Sequence, residues 1–236
     1  TPSKPYRFPG LAKLAARMLD YLDYSQVNVI GVSWGGALAQ QFAYDYPERC
    51  KKLILAATAA GAVMVPGKPK VLLRMASPRR YIQPSYGVQI AADIYGGAFR
   101  RDATLATRHA SKVRSGSKLG YYWQLFAGLG WTSIHWLHKI KQPTLVLAGD
   151  DDPIIPLVNM RLLAWRIPNS QLHVIDDGHL FLVTRAALVA PLVMEFLDEE
   201  RKRAVIHPIP THLVAPADES DESDDDLAEE QSHENT

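Results

Sequence analysis

The 236-residue sequence contains no apolar run of 18 or more residues and only one cysteine, Cys50. The first absence excludes a transmembrane helix within this sequence, because a bilayer-spanning helix needs about 20 apolar residues. The second excludes an internal disulfide and is compatible with a reducing compartment. The sequence also lacks a metal-ligand cluster and a phosphate-cradling loop, so we expect no metal and no cofactor.

Acidic residues are scarce in the middle of the chain. Residues 63–141 hold 13 Lys or Arg and two acids, whereas residues 207–236 hold ten acids and no Lys or Arg. The net charge of +1 therefore conceals a basic segment and an acidic end. The end has little apolar surface to bury and is predicted to be disordered. The basic segment carries no recognisable nucleic-acid motif, so we expect no nucleic-acid partner.

Apolar residues outside the basic segment follow alternating helical and strand patterns. We predict strands at 27–32, 51–57, 143–149 and 171–176, and helices after Pro9-Gly10, from the first strand to Pro47, at 159–166 and at 186–203. Continuously apolar strands separated by helices indicate a mostly parallel sheet covered on both faces, that is, an α/β fold. We expect residues 1–62 and 142–206 to form its core and residues 63–141 an inserted helical cap, followed by the acidic tail, 207–236.

The stretch VIGVSWGGALAQ places Ser33 between Gly31 and Gly35, where a predicted strand becomes a helix. A sharp strand–turn–helix crowds the apex, and flanking glycines relieve that crowding, as in the G-x-S-x-G nucleophile elbow. The backbone N–H of Trp34 would then donate to a developing oxyanion. The alternative is a glycine-rich turn with a passive serine.

A nucleophilic serine needs a base, and the base needs an orienting carboxylate. Asp150, Asp151 and Asp152 follow the third predicted strand, and His179 follows the fourth, so all are expected at the edge of the sheet that carries Ser33. His173 is expected within a strand, and the remaining histidines follow no core strand: His109, His135, His138, His207, His212 and His233. We therefore predict His179 as the base. Acids that do not orient the base, Asp176 and Asp177 included, are interpreted as solvated or helix-capping residues. Either Asp176 or Asp177 could nevertheless lie near His179.

Several motifs together resemble a known family. The GVSWGG elbow, the G-x-x-D-x-x-x-P loop (Gly149, Asp152, Pro156) and the Gly178-His179 pair look like the α/β-hydrolase superfamily. Beyond these motifs, the segments QVNVIGVSWGGALAQQFAYDYPERCKKLILAATAA, GYYWQLFAGLGWTSIHWLHKI and QPTLVLAGDDDPIIP resemble the intracellular medium-chain-length poly(3-hydroxyalkanoate) depolymerases of pseudomonads. The resemblance covers nearly everything from about residue 6 to about residue 208, cap included.

The resemblance implies a serine esterase that hydrolyses the polyester of cytoplasmic storage granules. It implies Ser33 as the nucleophile, Asp152 as the triad acid and His179 as the base. In the cap, Trp123, Trp131 and Trp136 are candidate substrate-binding residues, since an insoluble polyester needs an apolar entrance. The alternative is that these aromatics form the core of the cap. Its positive charge would favour contact with a granule surface that bears anionic lipid or protein.

In this family pattern the second oxyanion donor lies well upstream of the elbow, yet only 32 residues precede Ser33. We therefore expect an N-terminally truncated member that lacks this donor and the first strands. Loss of one such donor costs about 10²–10³ in rate. Loss of the first strands would expose an apolar sheet edge that is prone to aggregation, so this chain alone is expected to be inactive or insoluble. Two alternatives to the depolymerase stay open. One is a hydrolase of the same fold acting on a small ester, thioester or carbon–carbon bond, and the other is a non-catalytic granule-surface protein.

Overall fold

The computed structural model describes residues 4–112 and 117–206, the last eight of these for their backbone only. In chain order the elements are α1 (Phe8–Tyr21), β1 (Val27–Val32), α2 (Trp34–Asp45), β2 (Cys50–Ala56), α3 (Pro69–Met75), α4 (Arg79–Ile82), α5 (Pro84–Tyr95), α6 (Ala98–Arg101), α7 (Ala103–Lys112), α8 (Lys118–Gly128), β3 (Thr144–Gly149), α9 (Leu157–Arg166), β4 (Ser170–Ile175), α10 (Phe181–Thr184) and α11 (Ala186–Ile206), with 3₁₀ turns at Pro47–Arg49 and Leu137–Lys139. None of the described helices is long and apolar enough to cross a membrane.

The four strands form one parallel sheet in the order β1-β2-β3-β4. β2 and β3 are buried on both faces because their residues alternate between two apolar clusters. Leu53 and Leu55 of β2 face the cluster that includes residues of α1, α2 and α9, whereas Ile54 and Ala56 face the cluster that includes residues of α10 and α11. This two-sided burial explains why both strands read as continuous apolar runs.

β1 lies at the edge of the described sheet, where Ile30 and Val32 are exposed. Its bounds are those that the apolar run predicts. The first helix, in contrast, begins at Phe8, so the prediction that it starts after Pro9-Gly10 was wrong. Proline is tolerated in the first helical turn because the N–H that it lacks would have no intrahelical acceptor there.

The segment between β2 and β3 is helical, from α3 to α8. It has an apolar cluster of its own, whose buried residues are Val71, Ile90, Ala91, Ile94, Tyr95, Phe99 and Ala106, together with Ile154 from the loop after β3. Two aromatic residues, Tyr95 and Phe99, are buried in this cluster, and Tyr86 packs against it.

By its contacts the chain divides into two units, Thr1–Asp198 and Glu199–Thr236. The first unit holds the sheet, the helices from α1 to α10 and α11 as far as Asp198. Of the second unit the structure describes only residues 199–206, which are helical. The predicted disordered tail, residues 207–236, lies outside the described residues. The boundaries of the cap at residues 63 and 141 stay a prediction.

Candidate active site

Ser33 occupies the sharp turn between β1 and α2, with φ 52° and ψ −119°. Such a conformation costs a non-glycine residue about 1–3 kcal/mol and persists only where the surroundings hold it. Here the N–H of Ser33 donates to the carbonyl of Ala56 (2.9 Å), and its carbonyl accepts from Thr58 Oγ1 (2.8 Å) and the N–H of Gly36 (2.9 Å). The end of β2 and the residues that follow it therefore hold the serine at the apex.

Two glycines permit this turn, but they are Gly31 and Gly36, whereas the motif suggests Gly31 and Gly35. A Cβ at Gly31 would lie 2.5 Å from Ala39 Cβ, and one at Gly36 would overlap the side chain of Thr58. A Cβ at Gly35 would meet no described atom within 4 Å. The expectation that Gly31 and Gly35 both relieve crowding was therefore wrong for Gly35, because α2 contacts its neighbours through Gly36.

Asp152 and His179 lie in the loops that follow β3 and β4, and both are buried. Asp152 Oδ2 is 2.7 Å from His179 Nδ1, while Asp152 Oδ1 accepts from the N–H groups of Ile154 and Ile155, both at 2.9 Å. These backbone donors fix the orientation of the carboxylate. An ionised carboxylate at this distance favours the tautomer that carries its proton on Nδ1.

The other ring nitrogen, Nε2 of His179, lies 3.0 Å from Ser33 Oγ. With the proton on Nδ1, Nε2 is free to accept the hydroxyl proton of the serine. Three side chains separated by up to 146 positions thus form one hydrogen-bonded chain, in the order acid, base, hydroxyl. This arrangement can activate the serine for attack on an acyl carbon.

Trp34 is the first residue of α2, so its backbone N–H has no acceptor within the helix. It follows the nucleophile candidate directly, which is where an oxyanion donor is needed. Its indole Nε1 donates to the carbonyl of Gln124 in α8 (2.9 Å), and its ring packs against Phe8 at 4.9 Å between centroids. The residue that would supply the oxyanion donor is therefore also a contact between the elbow and the cap.

Comparisons with known proteins agree with this geometry. A family model described as alpha/beta hydrolase fold matches residues 1–186. The chain belongs to the α/β-hydrolase family. The predicted fold class and the resemblance read from the motifs are thereby confirmed.

Among curated relatives of this α/β-hydrolase, a poly(3-hydroxyalkanoate) depolymerase of Ectopseudomonas oleovorans is 82% identical over 210 residues, covering 89% of this chain and 74% of the relative. A 2-hydroxy-6-oxononadienedioate/2-hydroxy-6-oxononatrienedioate hydrolase of Burkholderia vietnamiensis is 29% identical over 213 residues, covering 79% and 67%. The solved enol-lactonase of Burkholderia xenovorans has a TM-score of 0.70 at 22% identity, covering 84% of this chain and 75% of that one, and shows the common fold.

The other histidines lie apart from this chain of hydrogen bonds in the contacts that the structure describes. His109, in α7, packs at 5.2 Å and 5.8 Å against the rings of Tyr95 and Phe99, and burial lowers its pKa. His173 lies in β4, as expected, and His135 and His138 are exposed in the segment after α8. The three remaining histidines, His207, His212 and His233, lie outside the described residues.

The acids beside the triad divide between the two interpretations given above, solvated residues and helix-capping residues. Asp176 is solvated, with 84% of its side chain exposed, but only 1% of the Asp177 side chain is. Asp151 forms a bidentate ion pair with Arg100 and accepts from the N–H of Gly97 (2.7 Å). Asp177 accepts from the N–H of Ala98, the first residue of α6, so it is one of the capping acids near His179 that the sequence allowed. Its burial was not expected, because aspartate is seldom buried and nothing in DDGH indicates which carboxylate turns inward.

All three candidate substrate-binding tryptophans make contacts within the fold, with Trp123 packed against Phe126 at 6.3 Å between ring centroids. Trp131 Nε1 donates to Gln41 Oε1 (2.7 Å), and Trp136 stacks on Tyr44 at 4.4 Å. Trp123 differs, since its buried indole N–H has no hydrogen-bond partner among the described residues. A substrate-binding role stays a prediction for all three.

The metal-ligating residues and the cavity near the site also bear on its chemistry. Among the described residues, no group of three or more His, Cys, Asp or Glu is arranged to hold a metal ion. A cavity of about 540 Å³ is lined by residues that include Lys68, Arg100 and Asp152, but neither Ser33 nor His179 lines it. Of the three triad candidates, only Asp152 therefore lines this cavity.

Proposed function

We propose that the protein is a serine carboxylic ester hydrolase that cleaves poly(3-hydroxyalkanoate) of medium chain length to 3-hydroxy acid monomers or oligomers. The observation that carries this proposal is the hydrogen-bonded chain Asp152–His179–Ser33 in a sequence 82% identical to a poly(3-hydroxyalkanoate) depolymerase. The polymer is a chain of ester bonds, and acyl transfer to an activated serine is chemistry that this geometry can perform.

In the first half-reaction, His179 Nε2 takes the proton of Ser33 while Oγ attacks the ester carbonyl of the polymer. The backbone N–H of Trp34 donates to the oxyanion that develops on the carbonyl oxygen. Collapse of this intermediate breaks the ester bond, and His179 returns its proton to the departing 3-hydroxyl oxygen of the next unit. Asp152 stabilises the imidazolium between these two steps.

In the second half-reaction a water molecule attacks the acyl group on Ser33. His179 takes a proton from this water and returns it to Ser33 Oγ as the acyl–oxygen bond breaks. The products are a free 3-hydroxy acid or oligomer and the regenerated serine. Neither half-reaction requires a metal or cofactor for its balance.

The cap, residues 63–141, is proposed to form the apolar entrance and to make contacts with the granule surface. Its excess of basic residues supports attraction to anionic lipid or protein at that surface. We propose on this basis that the enzyme acts at polyhydroxyalkanoate granules in the cytoplasm. Granule binding that weakens as salt rises would agree with this proposal, and binding independent of salt would contradict it.

The test is release of 3-hydroxy acids from a medium-chain polyester emulsion, with Ser33→Ala as the matched control. The protein is expressed from its own gene, with any codons that precede that of Thr1. Release that disappears in the alanine variant supports the proposal. Cleavage of small soluble esters alone would instead support the small-substrate hydrolase, and a folded protein inert on both substrates would support the non-catalytic alternative.

A further inference from the structure

A short segment of the cap, Tyr95–Arg101, contacts the loops that carry both Asp152 and His179. The N–H of His179 itself donates to the carbonyl of Tyr95 at 2.7 Å. The N–H of Gly97 donates to Asp151, the neighbour of the triad acid. The position of the base along its loop is therefore set in part by backbone atoms of the cap.

Asp177 is the buried centre of these contacts. Its Oδ1 accepts from the N–H of Ala98 (2.5 Å) and the N–H of Gly178 (2.7 Å), and its Oδ2 accepts from Thr184 Oγ1 (2.6 Å). One carboxylate thus joins the first turn of α6, the residue before His179 and the end of α10. Without Asp177 the N–H groups of Ala98 and Gly178 would need another acceptor, and an unsatisfied buried polar group is costly.

The backbone of Asp177 also connects the two catalytic loops. Its N–H donates to Asp150 Oδ1 and its carbonyl accepts from the N–H of Asp151, both at 3.1 Å. The loop of the acid and the loop of the base are therefore joined at Asp177 independently of the Asp152–His179 hydrogen bond.

Glycines indicate how closely the segments approach. A Cβ at Gly178 would overlap the carbonyl oxygen of Tyr95, and one at Gly97 would overlap Gly178 N and Asp177 Oδ1. Gly97 also has φ 47°, in the region that favours glycine. These close contacts at Gly97 and Gly178 are independent of the hydrogen bonds, and they show that the backbone of the cap segment lies directly against the backbone of the His179 loop.

We propose that Asp177 is a positioning residue for catalysis: by joining α6, α10 and Gly178 it fixes His179 Nε2 at hydrogen-bond distance from Ser33. The proposal rests on the proposed serine hydrolysis. In this proposal the two acceptor oxygens of Asp177 and their placement keep His179 in position, and the negative charge of the carboxylate contributes less. Displacement of a catalytic group by about 1 Å can cost about 10²-fold in rate, so this joint can matter although Asp177 touches neither substrate nor serine.

Three substitutions separate placement from charge. Asp177→Ala removes all three hydrogen bonds and also the ion pairs with Arg101 (3.6 Å) and Arg185 (3.5 Å). Asp177→Asn removes the charge, but its carbonyl oxygen can replace Oδ1, and its NH₂ can donate to Thr184, whose hydroxyl already lies 3.1 Å from the Leu180 carbonyl as a second acceptor. Asp177→Glu keeps the charge but displaces the carboxylate by one methylene. The matched control is Asp176→Ala, in the same loop and solvated.

The assay is hydrolysis of p-nitrophenyl octanoate, with kcat expressed per serine titrated by a phosphonate inhibitor, so that unfolded protein is not counted. We expect Asp177→Ala and Asp177→Glu to lower kcat by about 10- to 100-fold at nearly constant KM. We expect Asp177→Asn to retain kcat within about threefold, because the amide can still form hydrogen bonds with Ala98, Gly178 and Thr184. Asp176→Ala should match the unsubstituted protein.

A kcat per titrated serine that is unchanged in both Asp177→Ala and Asp177→Glu, with only a lower melting temperature, would reduce Asp177 to a structural role and overturn the proposal. Activity lost in Asp177→Asn but kept in Asp177→Glu would overturn it too, because charge would then be the cause. Failure on polyester with Ser33-dependent cleavage of the soluble ester would contradict the proposed function alone and leave this test intact.

Discussion

Replacement of Asp152 by asparagine should nearly abolish hydrolysis without unfolding the protein, for a reason that the structure makes specific. Asp152 Oδ1 accepts from two backbone N–H groups at 2.9 Å, those of Ile154 and Ile155. The asparagine amide must place its carbonyl oxygen at this position, because an NH₂ group there would face two donors. Its NH₂ group then faces His179 Nδ1, 2.7 Å away in the unsubstituted protein.

An NH₂ group in that position selects the wrong tautomer of the base. His179 Nδ1 must accept from it, so the ring proton moves to Nε2 and points at Ser33 Oγ. A protonated Nε2 cannot take the serine proton. In the corresponding substitution of a Ser-His-Asp protease, geometry is kept and kcat falls about 10⁴-fold, equivalent to about 5 kcal/mol of transition-state stabilisation.

The measurement is the rate of acylation of Ser33 by p-nitrophenyl octanoate under single-turnover conditions, with circular dichroism and thermal unfolding as checks of the fold. We expect a loss of about 10³–10⁴-fold in rate with a melting temperature close to that of the unsubstituted protein. A variant that retains more than about one tenth of the rate would refute the tautomer argument. It would also remove Asp152 from the triad.

Three further predictions concern stability and reactivity. Burial alone would raise the pKa of Asp177. The pKa is nevertheless lowered, because this effect is outweighed by hydrogen bonds from Thr184, Ala98 and Gly178 and by the charge of Arg185. The ionised carboxylate therefore stabilises the folded protein above the ordinary aspartate pKa of about 3.9, and this stabilisation is lost as the pH falls through the lowered value. The difference in melting temperature between the protein and Asp177→Asn should accordingly shrink below about pH 4. A difference that does not depend on pH would contradict this prediction. Burial raises the pKa of the Cys50 thiol to about 12, so iodoacetamide should modify it only after unfolding, as mass spectrometry of native and denatured samples would show. Gly31→Ala places a methyl group 2.5 Å from Ala39 Cβ and should lower the free energy of unfolding by about 1–3 kcal/mol in urea titration, whereas a neutral result would mean that the elbow can relax.

The sequence predicted the sheet and the proximity of Ser33, Asp152 and His179 well, because both depend on patterns that are local. β1 and β3 are short apolar runs bounded by polar or turn residues, and their bounds differ from the predicted ones by no more than one residue. Parallel strands bring their carboxyl ends to one edge, so residues after three different strands could be placed together without knowledge of the packing.

The contacts of Asp177 could not be predicted in the same way. They use carbonyl and N–H groups of the cap, and these backbone groups carry no residue-specific pattern. The one local signal is the pair Gly96-Gly97, which ends α5 with two positive φ values. A glycine pair between helices ordinarily indicates a turn, and nothing in the sequence shows that the turn lies against Gly178.

The run Asp150–Asp152 shows how much the fold adds to a sequence of identical residues. Asp152 turns to His179, Asp151 to Arg100 and Gly97, and Asp150 to the N–H of Asp177. Of these, the ion pair of Asp151 is about 40% exposed on both sides, so its contribution should be small, as for surface ion pairs in general. The burial of Asp152 and Asp177 makes their contacts hard for water to replace. The alignment of the base with Ser33 therefore depends mainly on two buried carboxylates, one that touches His179 and one that holds its loop against the cap.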